Sequence, residues 1–218
     1  MGITSKIANL PYIKNLVPHK TLKEVQEYWK SPNDEVNLPY TYLKGEERSK
    51  FLVDIFNQHN IDKQSRILEI GCNVGRNLNF LFQAEYKNLN GVEINPEAVE
   101  LMKNKYPEMV KHTHIYNSTI EEKIKQLDDS SFDIVFTMAV LVHIHPDSEF
   151  IFSEMVRITK SYLITIEIEK GVAKKNFERN YQLIFEKLGM KEIQNINCNG
   201  VADFDGNVIA RIFSKQSK

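Results

Sequence analysis

Residues 66–78, RILEIGCNVGRNL, lead an apolar run into an acidic residue, a glycine turn and a helix-like pattern. Gly71 and Gly75 allow a tight turn and let a ligand approach the backbone with no Cβ in the way. A helix opening at the second glycine would aim its unpaired N–H groups at whatever occupies that turn. Glu93 closes a second apolar run, in NGVEINPEAVE; it lies roughly 20 residues beyond the glycine turn, from where a carboxylate can reach ribose hydroxyls. His143 and His145, in LVHIHPD, follow a third apolar run, and a histidine there can take a proton from an acceptor hydroxyl at neutral pH. Either histidine could instead bond the loop or cap the helix that follows. Glu167 and Glu169 alternate on a later run, which places both on one face of a strand near the same edge, within reach of an acceptor.

Such residues must be held by a sheet. Short apolar runs alternate with longer helical patterns, the rhythm of parallel strands joined by crossover helices. The pattern predicts strands over 66–70, 89–93, 111–116, 132–137 and 161–168, and helices over 75–84, 96–105, 119–127 and 147–159. Pro96 and Pro146 fall in first turns, where a missing N–H costs nothing. Upstream, ERSKFLVDIFNQHN carries the apolar stripe of a helix lying on a sheet. Downstream, NFERNYQLIFEKLG predicts a helix ending at Gly189, and KEIQNINC and NVIARIFS predict an antiparallel hairpin at the sheet edge, with Asp205 and Gly206 as the turn signal. Residues 1–45 hold Pro11, Pro18, Pro32 and Pro39 and one helix-like run, TLKEVQEYWK, which Thr21 can cap with Glu24. The expectation is one α/β domain over 46–218 with an N-terminal helical appendage over 1–45.

The pair LEIGCNVGRN and GVEINPEA resembles the first two motifs of class I methyltransferases dependent on S-adenosylmethionine (SAM), of the bacterial small-molecule type. FDIVFTMAVLVHIHP is similar to that family's fourth strand and the loop after it. The resemblance spans about 46–214 and implies a Rossmann-like, mostly parallel seven-stranded sheet with a C-terminal antiparallel hairpin. It implies SAM as cofactor, with Glu69 and the Gly71–Gly75 loop at the methionine part and Glu93 on both ribose hydroxyls. The full expected cofactor set is Glu69, Gly71, Cys72, Asn73, Gly75, Arg76, Glu93, Ile94, Asn117, Ser118, Thr119, Ile120 and Met138. The family often has an acidic adenine contact after its third strand; the sequence offers Asn117, Ser118, Thr119 and Ile120 there instead. His143, His145 and Glu167 are the expected catalytic residues. Metal dependence of the catechol type would need an acidic residue directly after the fourth strand, and TMAV has none. The segment around Tyr40, Tyr42 and Arg48 is either a lid over the cofactor or surface packing. Tyr28 and Trp29 are expected to be packing contacts of the appendage.

Two other readings compete. A nicotinamide-dependent reductase would carry G-x-G-x-x-G, but Asn73 replaces the middle glycine and no third one follows. A SAM-binding regulator without catalysis would not need the polar loop after the fourth strand. The chain has 218 residues, a net charge of −1, 42% hydrophobic and 26% charged residues, with the two signs interleaved; this disfavours nucleic-acid partners. Base-methylating motifs are also missing. GCNVGRN and HIHP resemble motifs of bacterial enzymes of this family, and that resemblance implies a small polar acceptor such as a sugar or nucleotide-sugar hydroxyl. Cys72 and Cys198 have neither metal-ligand spacing nor disulfide density. No signal-like or membrane-length apolar run occurs, so a cytoplasmic location is expected.

Overall fold

The computed structural model describes residues 19–170, 175–204 and 207–215; Pro11, Pro18 and the turn expected at Asp205 and Gly206 lie outside them. Thr21 caps α1 (Leu22–Lys30) through the reciprocal box with Glu24. A single 3-10 turn, Pro39–Leu43, leads into α2 (Glu46–Gln58), which buries Leu52, Ile55 and Phe56. β1 (Arg66–Ile70), α3 (Arg76–Gln83), β2 (Asn88–Glu93) and α4 (Pro96–Lys105) then follow. After them come α5 (Pro107–Lys111), β3 (Thr113–Asn117), α6 (Ile120–Lys123), β4 (Phe132–Met138), α7 (Phe150–Ile158) and β5 (Thr159–Ile168). The chain closes with α8 (Tyr181–Lys187), β6 (Met190–Asn197) and β7 (Val208–Lys215).

The strands form one sheet in the order β3-β2-β1-β4-β5-β7-β6. β1 to β5 pair in parallel, whereas β7 runs antiparallel to both β5 and β6. From β1 the chain moves outward to β2 and β3, then returns to place β4 on the other side of β1. The carboxyl ends of β1 and β4 therefore diverge, which opens the crevice where sheets of this type bind ligands. Alternation along the strands feeds two cores. Ile67, Ile134 and Phe136 pack with α2 and α3 through Leu52, Phe56 and Leu78. Leu68, Ile70 and Val135 pack on the opposite face with α7 and α8 through Phe152, Met155 and Phe185.

The Rossmann-like sheet, the terminal hairpin and most element boundaries agree with the expectations. Four local features differ. PEMVK forms α5, so β3 starts at Thr113 and not at 111. The helix expected over 119–127 stops at Lys123 and tightens into a 3-10 turn, Ile124–Gln126, where Arg157 takes the carbonyls of Ile124 and Leu127 at 2.9 and 2.7 Å. Pro146 opens a 3-10 turn, Pro146–Ser148, and α7 begins only at Phe150. The helix before Gly189 is confined to α8: Asn180 caps it, while Phe177 N–H donates to the Val142 carbonyl at 2.8 Å. The preceding residues are thus committed to the loop after β4. The hairpin lies at the edge as expected, but the later strand, β7, is its inner leg.

Candidate functional site

A cleft of about 1190 Å3, its open mouth included, lies over the β1–β4 crevice. Its floor is the turn after β1. Gly71 and Gly75 both take left-handed backbone (φ +73°), as do Asn73 (φ +45°) and, in the loop after β4, Ala139 (φ +56°). A Cβ on Gly71 would stand 2.5 Å from Val140 Cγ2, so only glycine lets the two loops meet. Gly71→Ala is expected to lower stability by about 1–3 kcal/mol from backbone strain alone, with the clash adding to it. A thermal melt matching wild type would contradict this.

Two carboxyls face the cleft from neighbouring strands. Glu69 is buried; its Oε1 accepts from Asn77 Nδ2 at 2.7 Å, while its Oε2 is buried with no partner. Burial pushes its carboxyl up to about 8, against the pull of Asn77 and Arg76, and nearby Glu93 pushes the same way. Glu93 Oε2 accepts from Asn73 N–H at 2.7 Å and Oε1 from Asn95 N–H at 2.8 Å. These bonds oppose burial, which still holds the Glu93 carboxyl above the ordinary carboxylate range. Asn73 Oδ1 is another buried acceptor without a partner. Buried acceptors left open beside a cleft call for a ligand that brings donors.

The other expected cofactor residues divide. Cys72, Asn73, Arg76, Ile94, Ser118, Ile120 and Met138 line the cleft. Gly75, Asn117 and Thr119 do not: Gly75 turns the chain into α3, Asn117 Nδ2 donates to the Glu93 carbonyl at 2.8 Å, and the Thr119 hydroxyl caps α6. Arg76 is committed to the protein, donating to Ser49 Oγ at 2.9 Å and to the carbonyls of Tyr42 and Lys44. It clips the N-terminal segment over the glycine turn. Glu121, absent from the expected set, lines the cleft beside Ser118 and Ile120, and its Oε1 accepts from Ser148 Oγ at 3.0 Å. Its signal was the acidic first turn behind the Thr119 cap.

Of the three expected catalytic residues, only His143 lines the cleft. Its Nδ1 lies 3.0 Å from the Lys175 carbonyl and its ring 4.4 Å from that of Trp29. His145 points elsewhere: its Nδ1 accepts from Asp147 N–H at 3.1 Å, capping the turn that follows, and its ring meets Phe177 edge-on. Glu167 lies fully buried beneath the loop, with both oxygens 3.0 Å from Val140 N. Burial raises its carboxyl to about 7, against the pull of the Val140, Leu141 and Val142 N–H groups. Its geometry is that of a loop anchor. Glu169 is paired with Arg211 at 2.6 and 3.0 Å, alongside Glu192, and does not line the cleft.

The roof comes from the N-terminal segment. Val25, Gln26, Trp29, Pro32, Asn37, Tyr42 and Arg48 all line the cleft, so Trp29 does more than pack within the appendage. Tyr28, which was expected to pack, does not reach it. Among the described residues no group of three metal-ligating side chains occurs, and no helix is long and apolar enough to cross a membrane.

With this geometry the chain can be set beside known proteins. A family model described as a methyltransferase domain matches residues 68–163, the stretch carrying the glycine turn, Glu93 and the loop after β4. Magnesium protoporphyrin IX methyltransferase (ChlM) from Synechocystis PCC 6803, solved with bound S-adenosylhomocysteine (SAH), superposes with a TM-score of 0.69. It shares 14% identity, over 90% of this chain and 100% of that one. The [4+2]-cyclase SpnF superposes with a TM-score of 0.68 at 12% identity, over 93% of this chain and 99% of that one. No curated protein matches the sequence. The sheet order and the matched stretch are those of a Rossmann-like α/β methyltransferase domain. Residues 68–163 are similar to a methyltransferase domain, and the chain shares the fold of solved SAM-dependent methyltransferases.

Proposed function

We propose that this enzyme methylates a hydroxyl of a small polar acceptor, of the sugar or nucleotide-sugar kind, with His143 as the group that takes the acceptor proton. The carrying observation is the commitment of His143 Nδ1 to the Lys175 carbonyl. A carbonyl only accepts, so Nδ1 holds the proton and Nε2 of the neutral ring is left as a base. Gln26 and Trp29 line the same cleft, and an amide beside an indole suits hydroxyls carried on an apolar ring face.

The residues present fit SAM. Glu69 Oε2 and Asn73 Oδ1 are open acceptors for the methionine ammonium, and the Glu93 carboxylate, which lines the cleft, is the acceptor for the ribose hydroxyls. Glu121 can accept from the adenine amine while Ile120 packs on the ring. The cofactor supplies a positively charged methylsulfonium, already activated towards attack. The protein's part is positioning: the Gly71 turn fixes the donor, and the N-terminal segment covers it as a lid and excludes water. His143 removes the proton from the acceptor oxygen.

Glu69 provides a direct check on the methionine subsite. With its carboxyl near 8, it is mostly protonated at pH 7, and an ammonium beside it would favour the carboxylate. SAH binding at pH 7 should therefore release close to one proton, roughly 0.9 by the titration arithmetic. Calorimetry in buffers of different ionisation enthalpy measures this, and no release would remove Glu69 from that contact. The acceptor reading is tested by incubating the protein with methyl-labelled SAM and pools of sugars, nucleotide-sugars and amines. Label is expected in an alkali-stable ether of a hydroxylated compound. Label only on nitrogen, or on no small molecule at all, would overturn it.

A further inference from the structure

Lys175 joins the roof of the cleft to its histidine through its two ends. Its carbonyl lies 3.0 Å from His143 Nδ1. Its ammonium lies 3.3 Å from Asp34 Oδ2 and 3.6 Å from the centre of the Tyr28 ring. Asp34 is fixed in turn by the Tyr28 hydroxyl and by Asn37 Nδ2, the latter at 2.7 Å. Neither Asp34 nor Lys175 lines the cleft, so neither is placed to touch donor or acceptor.

The half-buried ion pair alone stabilises little. Its importance is where it holds the backbone. Lys175 spans the segment after β5 and the N-terminal segment, and its ammonium also sits 5.2 Å from the Trp29 ring centre. Trp29 lies against the other side of the contact, on the His143 ring. Loosening the ammonium frees the carbonyl, and the imidazole then loses the acceptor that selects its tautomer.

We propose that Lys175 is a positioning residue: anchored by Asp34 and Tyr28 of the N-terminal segment, it presents its carbonyl to His143 and so selects the Nδ1–H tautomer, whose Nε2 is bare. Seating the roof and readying the base are then one event. This deepens the reading of His143 given above and rests on it, but the tautomer can be seen without any acceptor. Asn176, whose side chain also reaches the ring, is the competing source of the same preference.

The test uses full-length protein labelled with 15N-histidine and long-range 1H–15N correlation of the imidazoles. The chain has six histidines, and the His143 signals are those lost in His143→Gln. Wild type should show one tautomer, protonated on Nδ1. Lys175→Met and Asp34→Asn should each replace that single state by a mixture, while SAH affinity stays within about twofold of wild type. Asn176→Ala should leave the single state intact. The proposal fails if both anchor variants keep the wild-type signals, if wild type is protonated on Nε2, or if Asn176→Ala alone abolishes the preference. Loss of SAH binding by wild type would instead strike the methyltransferase reading, since the tautomer is read without the cofactor.

Discussion

Glu93→Ala is expected to weaken SAH binding by at least about a hundredfold, because bonds from ribose hydroxyls to a carboxylate contribute roughly 1.5–3 kcal/mol each. Part of the loss would come from the protein, since Glu93 also accepts from the N–H groups of Asn73 and Asn95. Removing it takes away the side-chain tie from the end of β2 to Asn73 and leaves that N–H without its acceptor. Glu93→Gln separates the two contributions. It keeps the shape and an acceptor but not the charge, and should cost about tenfold by the same magnitudes. Titration calorimetry with SAH reads both variants. Wild-type affinity in Glu93→Ala would remove the ribose clamp from the site.

His143→Ala should lower turnover by about 10²- to 10⁴-fold, the range for loss of a positioned base, with SAH affinity almost unchanged. Burial pushes the imidazole down from its ordinary 6.5 to about 4, the Lys175 carbonyl and Asn176 side chain oppose this, and the Lys175 charge adds to it. The ring is therefore neutral at pH 7. Turnover should hold as pH falls from 7 to 5.5, where an ordinary histidine would already be charged. The same depression gives a sign for stability. The unfolded chain binds the extra proton first, so this contribution is complete above about 6.5 and is lost as pH falls through about 4. Steady turnover in His143→Ala, or a loss of turnover centred near 6.5, would exclude His143 as the base.

Much of this was legible along the chain because it depends on local signals. The left-handed turn needs glycine at 71 and 75 wherever it occurs, Thr21 caps its helix with Glu24 a few residues away, and buried parallel strands appear as short apolar runs. The identities of Glu69 and Glu93 followed from position relative to that turn. What failed locally was set by long-range partners. Arg157 tightens the end of α6 from the neighbouring helix α7, and the loop after β4 claims the residues ahead of α8. Glu121 was passed over because helix phase, not proximity to the strand end, brings it to the cleft.

The sequence by itself determined the sheet, the glycine turn and the acidic ends of β1 and β2, since each is a property of a few consecutive residues. Only the tertiary structure decided which of His143, His145, Glu167 and Glu169 face the cleft, and that the segment before α2 roofs it. Those outcomes depend on contacts between residues far apart in the chain, such as Arg76 with the Tyr42 carbonyl, Glu167 with Val140 N–H and His143 with the Lys175 carbonyl. Residue type and spacing carry no record of them, because a side chain's direction is fixed by whatever it meets after the chain has folded.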